Sequence, residues 1–421
     1  MEVICRSRGD CLVGRKALRR QAKAAESKLL GGSMLKSAMA ALGMVVLGQA
    51  AYADEPYHIP VILSLSGNAA FLGQGIQKSF DALADLVNKD GGINGRSVKL
   101  DYHDDESTPQ TAVQIASAII ADHPPVILGP VLNATCSGVA PLLQAGPVDY
   151  CLSPAVHPDA GSFMFTASDD GFDQTAAGIR YFRMKGWTKL ATLDNTDATG
   201  QSDYRDVDHA MTLPENAGVT LVRRDRFNPT DVSVAAQLER IKASGAQAII
   251  TGMTGAAAGM VLHGMVQGGI DLPISLLSGN ESVAQMEQLK DFLPPGLVLT
   301  SAAFPEHDGI TKLDPRVEKA QHDMFQLFRE HGIDVDNSVA TSWDAGLIVV
   351  AALRQLGPSA TAEQIRSYIA NLTDFAGVDG LYDFHANPQR GLGKDSAIIV
   401  RFDAQHRSWV WVSHPGGAPL N

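Results

Sequence analysis

The chain has 421 residues, with 45% apolar and 19% charged side chains, a composition that excludes an extended disordered protein and allows two core-forming domains. Of its 34 Lys and Arg and 46 Asp and Glu, nine and three fall in the first 53 residues, which leaves 25 basic against 43 acidic residues and a formal charge of −18 beyond them. That acid excess excludes a nucleic-acid surface, which needs clustered Lys and Arg for phosphates, but leaves room for a local anion site.

Residues 38–48 form a short apolar run, preceded by Lys36 and followed by Ala51-Tyr52-Ala53. This is the arrangement of a secretory signal peptide cut after Ala53, and the run is too short to span a bilayer. The long basic lead makes Met34 a candidate start. No Cys follows the cut, so no lipid anchor is expected, and the mature chain is expected as a monomer in a Gram-negative periplasm. Cys5 and Cys11 lie in the leader. In an oxidising compartment the remaining pair, Cys136 and Cys151, forms a disulfide or stays as two buried thiols, and the disulfide is favoured.

From Tyr57 onward, strand and helix patterns alternate, as in doubly wound α/β layers. A strand over 61–65 and a turn at Ser66-Gly67-Asn68 lead to a helix with Ile76, Phe80, Leu83 and Val87 on one face, stopped by Gly91-Gly92. Val98, Leu100 and Tyr102 alternate as a half-buried strand. Thr108 and Pro109 open the next helix. The acidic run His103-Asp104-Asp105-Glu106 has two readings, a metal site or carboxylates favoured by that helix's dipole, and the second is preferred because no regular oxygen-ligand loop follows. A buried strand at 126–128, a Gly-Pro turn, a helix opening near Asn133, a Gly146-Pro147 stop and a strand at 148–152 come next. Two consecutive turns at the carboxyl ends of neighbouring strands are where small ligands sit in open α/β sheets. Asn133 is expected to cap its helix, whose free N–H groups favour an anion such as a carboxylate.

A second set of units begins after Ser168. It has a helix through Tyr181, strands at 190–193, 219–222, 248–251 and 274–277, and polar turns at 194–200, 252–255 and 278–281. Longer helices follow at 314–331, 339–356 and 361–372. Residues 375–384 are Gly- and Asp-rich, as a segment crossing between lobes would be. Strands at 397–402 and 408–412 close the chain as an antiparallel pair.

Enzyme motifs are missing. There is no G-x-S-x-G, H-E-x-x-H or C-x-x-C. Gly391-Leu392-Gly393-Lys394 lacks the phosphate-loop spacing and is followed by Asp395 instead of Ser or Thr. Gly73-Gln74-Gly75 has no third glycine. The twelve histidines are dispersed, and only His157 stands beside a turn where a ligand would sit, with a packing role as its alternative.

Six stretches carry a resemblance: SLSGNAAFLGQG (64–75), NKDGGINGRSVKL (88–100), DDESTPQTAV (104–113), ILGPVLNATCSGVAPL (127–142), LSPAVHP (152–158) and SWDAGL (342–347). Together they make the chain resemble the extracellular solute-binding proteins of ABC transporters, in the leucine/isoleucine/valine-binding family with the type I periplasmic fold. The resemblance implies two Rossmann-like α/β lobes joined by three crossings, with residues 57–168 and 305–378 in lobe 1 and 169–304 and 379–415 in lobe 2. It implies a solute receptor and no enzyme, with no cofactor or metal, and an ABC permease in the inner membrane as partner. By that resemblance Asn133, Ala134 and the turn Ala155, Val156 and His157 grip a ligand carboxylate, Phe71 packs over it, and Thr199, Thr251, Asn280 and Glu281 face it from the second lobe. Glu281 has the alternative of a solvated place in a helix's first turn. Amino-acid binders of the family carry Ser or Thr where Asn133 and His157 stand, and commonly an aromatic where Thr199 stands. An aromatic acid without an amine is therefore expected ahead of a branched-chain or other amino acid, with a ligand-sensing module of the same fold as a further reading.

Overall fold

A computed structural model describes residues 55–305 and 312–420. The expected signal peptide, its cut after Ala53 and the start at Met34 lie outside them, as do Cys5 and Cys11. The described residues fall in one compact unit, and none of their helices is long and apolar enough to cross a membrane.

Lobe 1 begins with β1 (Tyr57–Leu63), α1 (Ala70–Lys89), β2 (Val98–Asp104), α2 (Pro109–Ala121), β3 (Val126–Leu128), α3 (Asn133–Val139), β4 (Val148–Cys151) and β5 (Met164–Thr166). Its five strands are parallel in the order β2-β1-β3-β4-β5. Helix α1 is amphipathic: Leu72, Ile76, Phe80, Leu83 and Val87 recur at helical spacing and are all buried. Thr108 caps α2 by accepting from the Thr111 N–H, with Pro109 in the first turn. The acidic run before it braces the β1–α1 turn. Asp104 accepts from the Leu65, Ser66 and Glu106 N–H groups, and Asp105 from Ser64 Oγ and the Ser107 N–H. A buried disulfide ties Cys136 of α3 to Cys151 at the end of β4.

Lobe 2 contains α4 (Gly171–Met184), β6 (Lys189–Asn195), α5 (Ala198–Ala210), β7 (Thr220–Phe227), α6 (Ala235–Ala243), β8 (Ala248–Gly252), α7 (Ala256–Gln267), β9 (Ile274–Leu276), α8 (Val283–Gln288) and β10 (Leu297–Ala302). The chain then returns to lobe 1 as α9 (Pro315–His331), α10 (Asn337–Leu356), α11 (Ala362–Ala370) and the short hairpin β11 (Phe375–Ala376) and β12 (Leu381–Tyr382), and ends in lobe 2 with β13 (Ala397–Asp403) and β14 (Ser408–Trp411). The second sheet has seven strands in the order β14-β13-β10-β9-β8-β6-β7, with β13 antiparallel to both its neighbours.

In each lobe the helix after the first strand rides directly on the chain that leads into it. A Cβ on Gly73 in α1 would lie 2.1 Å from the Ser64 carbonyl oxygen, and one on Gly200 in α5 would lie 1.9 Å from that of Asn195. Only glycine permits that approach, and it draws the helix starts toward the strand ends that face the other lobe.

The third crossing departs from the sequence reading. Residues 379–392 belong with lobe 1, because Tyr382, Phe384 and Leu392 complete its core and Phe384 packs edge-on against Phe165 at 5.7 Å. Buried Asp344 fastens the segment by accepting from the Val378 and Asp379 N–H groups and from Tyr382 Oη. The chain leaves lobe 1 only after Leu392, not near 378.

Candidate ligand-binding cleft

The strand ends of the two lobes face one another across a partly open cavity. Lobe 1 lines it with Leu72 and Ile76 of α1, Val131, Leu132 and Asn133 after β3, and Leu152, Ser153, Pro154 and Ala155 after β4. Lobe 2 contributes Thr199, Ser202, Asp203 and Asp206 of α5, Thr254 after β8, and Leu277, Ser278 and Gly279 after β9. Gly171 and Gln174 of α4 and Asn337, Ser338 and Thr341 of α10 complete the wall. Ligand sites of open α/β sheets lie at such carboxyl strand ends.

The lobes are closed on one another. Asn133 Nδ2 donates to the Ala198 carbonyl at 3.2 Å, Ser202 Oγ to that of Ala155 at 3.4 Å, and the Asn337 N–H to that of Glu281 at 3.2 Å. Phe71 closes one edge: a Cβ on Gly255 of lobe 2 would lie 3.3 Å from its ring and 3.2 Å from the Asn68 carbonyl.

The wall is apolar on the Leu72, Ile76, Leu152 and Leu277 side and acidic on the α5 side. Among the described residues, its only ionisable side chains are Asp203 and Asp206, and none is Lys, Arg or His. Asp203 is buried and accepts from Thr175 Oγ1 at 3.2 Å. Burial, then the neighbouring Asp194 and Asp206, push its carboxyl well above the usual carboxylate range. Burial pushes Asp206 up to about 6, opposed by the positive charge of His157, Arg205 and Arg390. Four buried polar atoms on lining residues have no partner within the protein: Asp203 Oδ2, Ser278 Oγ, Asn337 Nδ2 and Thr341 Oγ1. Left dry, each would cost ~1–3 kcal/mol, so the cavity is built for a polar occupant as well as an apolar one.

The structure brings Asn133, Ala155 and Thr199 to the cavity, sets Phe71 at its edge, and leaves the other predicted residues outside it. Asn133 does not cap α3. It is the first helical residue, and its side chain is taken by Ala198 and by Ser137 Oγ, while Thr135 Oγ1 accepts from the Leu132 N–H instead. Ala134 lies half-buried in that helix. Val156 is buried with its carbonyl held by Arg390, and His157 turns away to an outer groove, where its Nδ1 meets Asp170 at 3.3 Å. That contact holds the His157 imidazole above its ordinary range. Arg390, itself buried, also reaches Asp170, so His157 belongs to the joint between the lobes. Thr251 Oγ1 donates to the Ser275 carbonyl inside the sheet. Asn280 staples two turns, donating to the Met253 and Leu277 carbonyls and accepting from the Gly255 N–H. Glu281 is wholly buried behind that turn, and burial raises its carboxyl well above the usual range. It is neither a cleft acid nor a solvated first-turn residue.

Sequence reasoning missed Asp203, Asp206 and the α10 trio. The spacing of the two acids puts them on one helix face directly after a polar turn at a strand end. Asn337 and Ser338 open a helix capped by Asp336, which accepts from the Val339 N–H. Both signals were present in the chain.

The family described as periplasmic binding protein matches residues 56–407. A curated relative, Leu/Ile/Val-binding protein homolog 3 of Brucella melitensis, is 26% identical over 260 residues, which span 60% of this chain and 68% of that protein. Two solved structures superpose over 85% of the chain. One is the branched-chain amino acid transporter substrate-binding protein of Streptococcus pneumoniae in complex with isoleucine, at TM-score 0.71 and 17% identity over 99% of its length. The other is a fatty acid ABC transporter substrate-binding protein of Thermomonospora curvata, at TM-score 0.72 and 18% identity over 92%. The same architecture thus serves chemically different solutes.

Proposed function

Because the chain belongs to the periplasmic binding protein family, we propose that it is the solute receptor of an ABC importer and captures an amino acid with an apolar side chain between its lobes. The carrying observation is the cavity itself: a leucine- and isoleucine-lined wall faces two acids and a set of buried, unpartnered polar atoms. An ammonium group finds Asp203 and Asp206. A carboxylate finds donors in Asn337 Nδ2 and the Ser278 and Thr341 hydroxyls. The apolar body fills the space beside Leu72, Ile76 and Leu277. An amine-free aromatic acid fits less well, since the wall offers it two acids and no cation. The leucine/isoleucine/valine names of the curated relatives favour the same solute class. In this reading the leader exports the chain to the periplasm, closure excludes water without chemistry on the solute, and the closed form presents it to the inner-membrane permease.

A thermal-shift panel of amino acids, amines and carboxylates on residues 54–421 tests the reading. A solute at a hundred times its Kd should add ~2.7 kcal/mol of stability and raise Tm by several degrees. No shift with any member of the panel would remove the proposal.

A further inference from the structure

Behind the cavity-lining Asp203, lobe 2 holds a second buried acid, and no cation stands among the cavity-lining side chains of the described residues. Asp194, next to last in β6, accepts from the Gly252 N–H at 2.9 Å. Asp203 reaches the same place from α5. A Cβ on Gly252 would lie 2.7 Å from Asp203 Cβ, 3.1 Å from Asp203 Oδ2 and 3.0 Å from Asp194 Oδ1, so the glycine leaves just enough room for two carboxyl groups side by side. Both are buried, and the Oδ2 atom of each has no partner donor within the protein. Two carboxyl groups packed this closely away from water cannot both stay ionised, and one proton held between the two hydrogen-bonded side chains relieves the repulsion. The surrounding charges do not replace that proton. Asp206 adds a third acid on the same helix face. Arg226 of β7 bears on Asp194 through space, and His157, Arg205, Arg390 and Asp170 bear on Asp206.

We propose that Asp194 and Asp203 form a proton-holding pair whose proton is expelled when the ammonium group of the solute docks against Asp203, with Asp206 as the flanking acid. The inference rests on the reading of the cleft as an amino-acid site and adds a regulation to it. The exchange balances: a carboxylic acid and an ammonium ion become a carboxylate–ammonium contact, and one proton passes to solvent. Burial raises both carboxyls of the pair, in line with a proton held at neutral pH. Capture is then linked to pH. Affinity for an amine-bearing solute rises by up to roughly tenfold per pH unit while the pair holds its proton, and levels off once the pair is ionised without ligand. A compartment at lower pH empties the receptor. The pair also rejects amine-free acids, which cannot replace the proton and meet like charge at Asp206.

The experiment is titration calorimetry of the mature protein with L-leucine and L-phenylalanine, and with their amine-free counterparts isocaproate and phenylpropionate. Runs in two buffers of different ionisation enthalpy at about pH 6, 7 and 8 count the protons exchanged. The proposal expects release of about one proton per bound amino acid, weakening toward about pH 6, and at least tenfold weaker binding of the amine-free acids. Asp203→Asn, near-isosteric and checked for native circular dichroism, should lose both the proton release and at least tenfold in affinity. Binding of either amino acid without proton release across this range overturns the proposal and leaves the receptor reading intact, and so does equally tight binding of isocaproate or phenylpropionate. If none of the four binds at any pH, the amino-acid reading fails and the proposal fails with it.

Discussion

Asp149 offers a test of the lobe 1 core that is independent of any ligand. It lies in β4, opposite Ile127 of β3 and Met164 of β5, fully buried, with neither carboxyl oxygen partnered within the protein. Alternation places it on the same sheet face as Cys151, among Ile62, Ile127, Val139 and Met164. Burial is the one cause that pushes its carboxyl well above the usual range, with no neighbouring charge contributing. The folded value therefore exceeds the unfolded one of about 3.9. Protonation favours the fold, so its stabilising contribution is complete below the unfolded value and is lost as pH rises toward the folded one, at ~1.4 kcal/mol per pH unit. Asp149→Asn keeps the shape and removes the titration. Urea unfolding of both proteins from about pH 5 to about pH 7 should show the variant gaining on the wild type by ~1.4 kcal/mol per unit until the folded value is reached. All other titrating groups cancel in that difference. A difference that stays flat between about pH 5 and pH 6 would refute the assignment of a neutral buried acid.

The Cys136–Cys151 bridge closes a loop of 15 residues, so Cys136→Ser with Cys151→Ser should cost ~3 kcal/mol in urea unfolding; an unchanged midpoint would show the bridge to be inert. Asn133→Ala removes the bond to the Ala198 carbonyl across the cleft and should weaken solute binding by ~0.5–1.5 kcal/mol, read by calorimetry. His157→Ala, whose imidazole faces Asp170 and the outer groove, should leave affinity within about twofold by the same measurement, since it removes no lining group. Gly200→Ala forces a methyl against the Asn195 carbonyl and should lower stability by ~1–3 kcal/mol in thermal unfolding.

The architecture was legible because its signals are periodic. Leu72, Ile76, Phe80, Leu83 and Val87 mark a helix face by spacing alone, and glycine pairs mark where helices end. The disulfide followed from compartment and count. The cleft was legible only in outline. Asn133, Ala155 and Thr199 sit on the expected strand ends, but His157 and Glu281 stand in equally suggestive turns and point elsewhere, because the direction of a side chain depends on neighbours brought in from other segments. Arg390, more than two hundred residues away in the chain, buries itself beside His157 and Asp170. Glu281 is covered by the start of α10, whose Asn337 N–H bonds its carbonyl. The third crossing was misplaced because Gly and Asp between 375 and 384 read as a linker, while Phe375, Tyr382 and Phe384, spread through that segment, are what dock it on lobe 1. Asp203 was missed for the opposite reason: a charged residue on a helix after a turn reads as solvated, and its burial arises from Thr175 of α4 and Gly252 of β8, which the fold packs against it.

The most direct measurement is a crystal structure of residues 54–421 with whichever panel solute raises Tm most. The account predicts the solute between the lobes, its apolar body beside Leu72, Ile76 and Leu277, and its amine in hydrogen-bond contact with Asp203. A solute bound outside this cavity, or one seated in it with a carboxylate turned toward Asp203 and Asp206, would contradict the account.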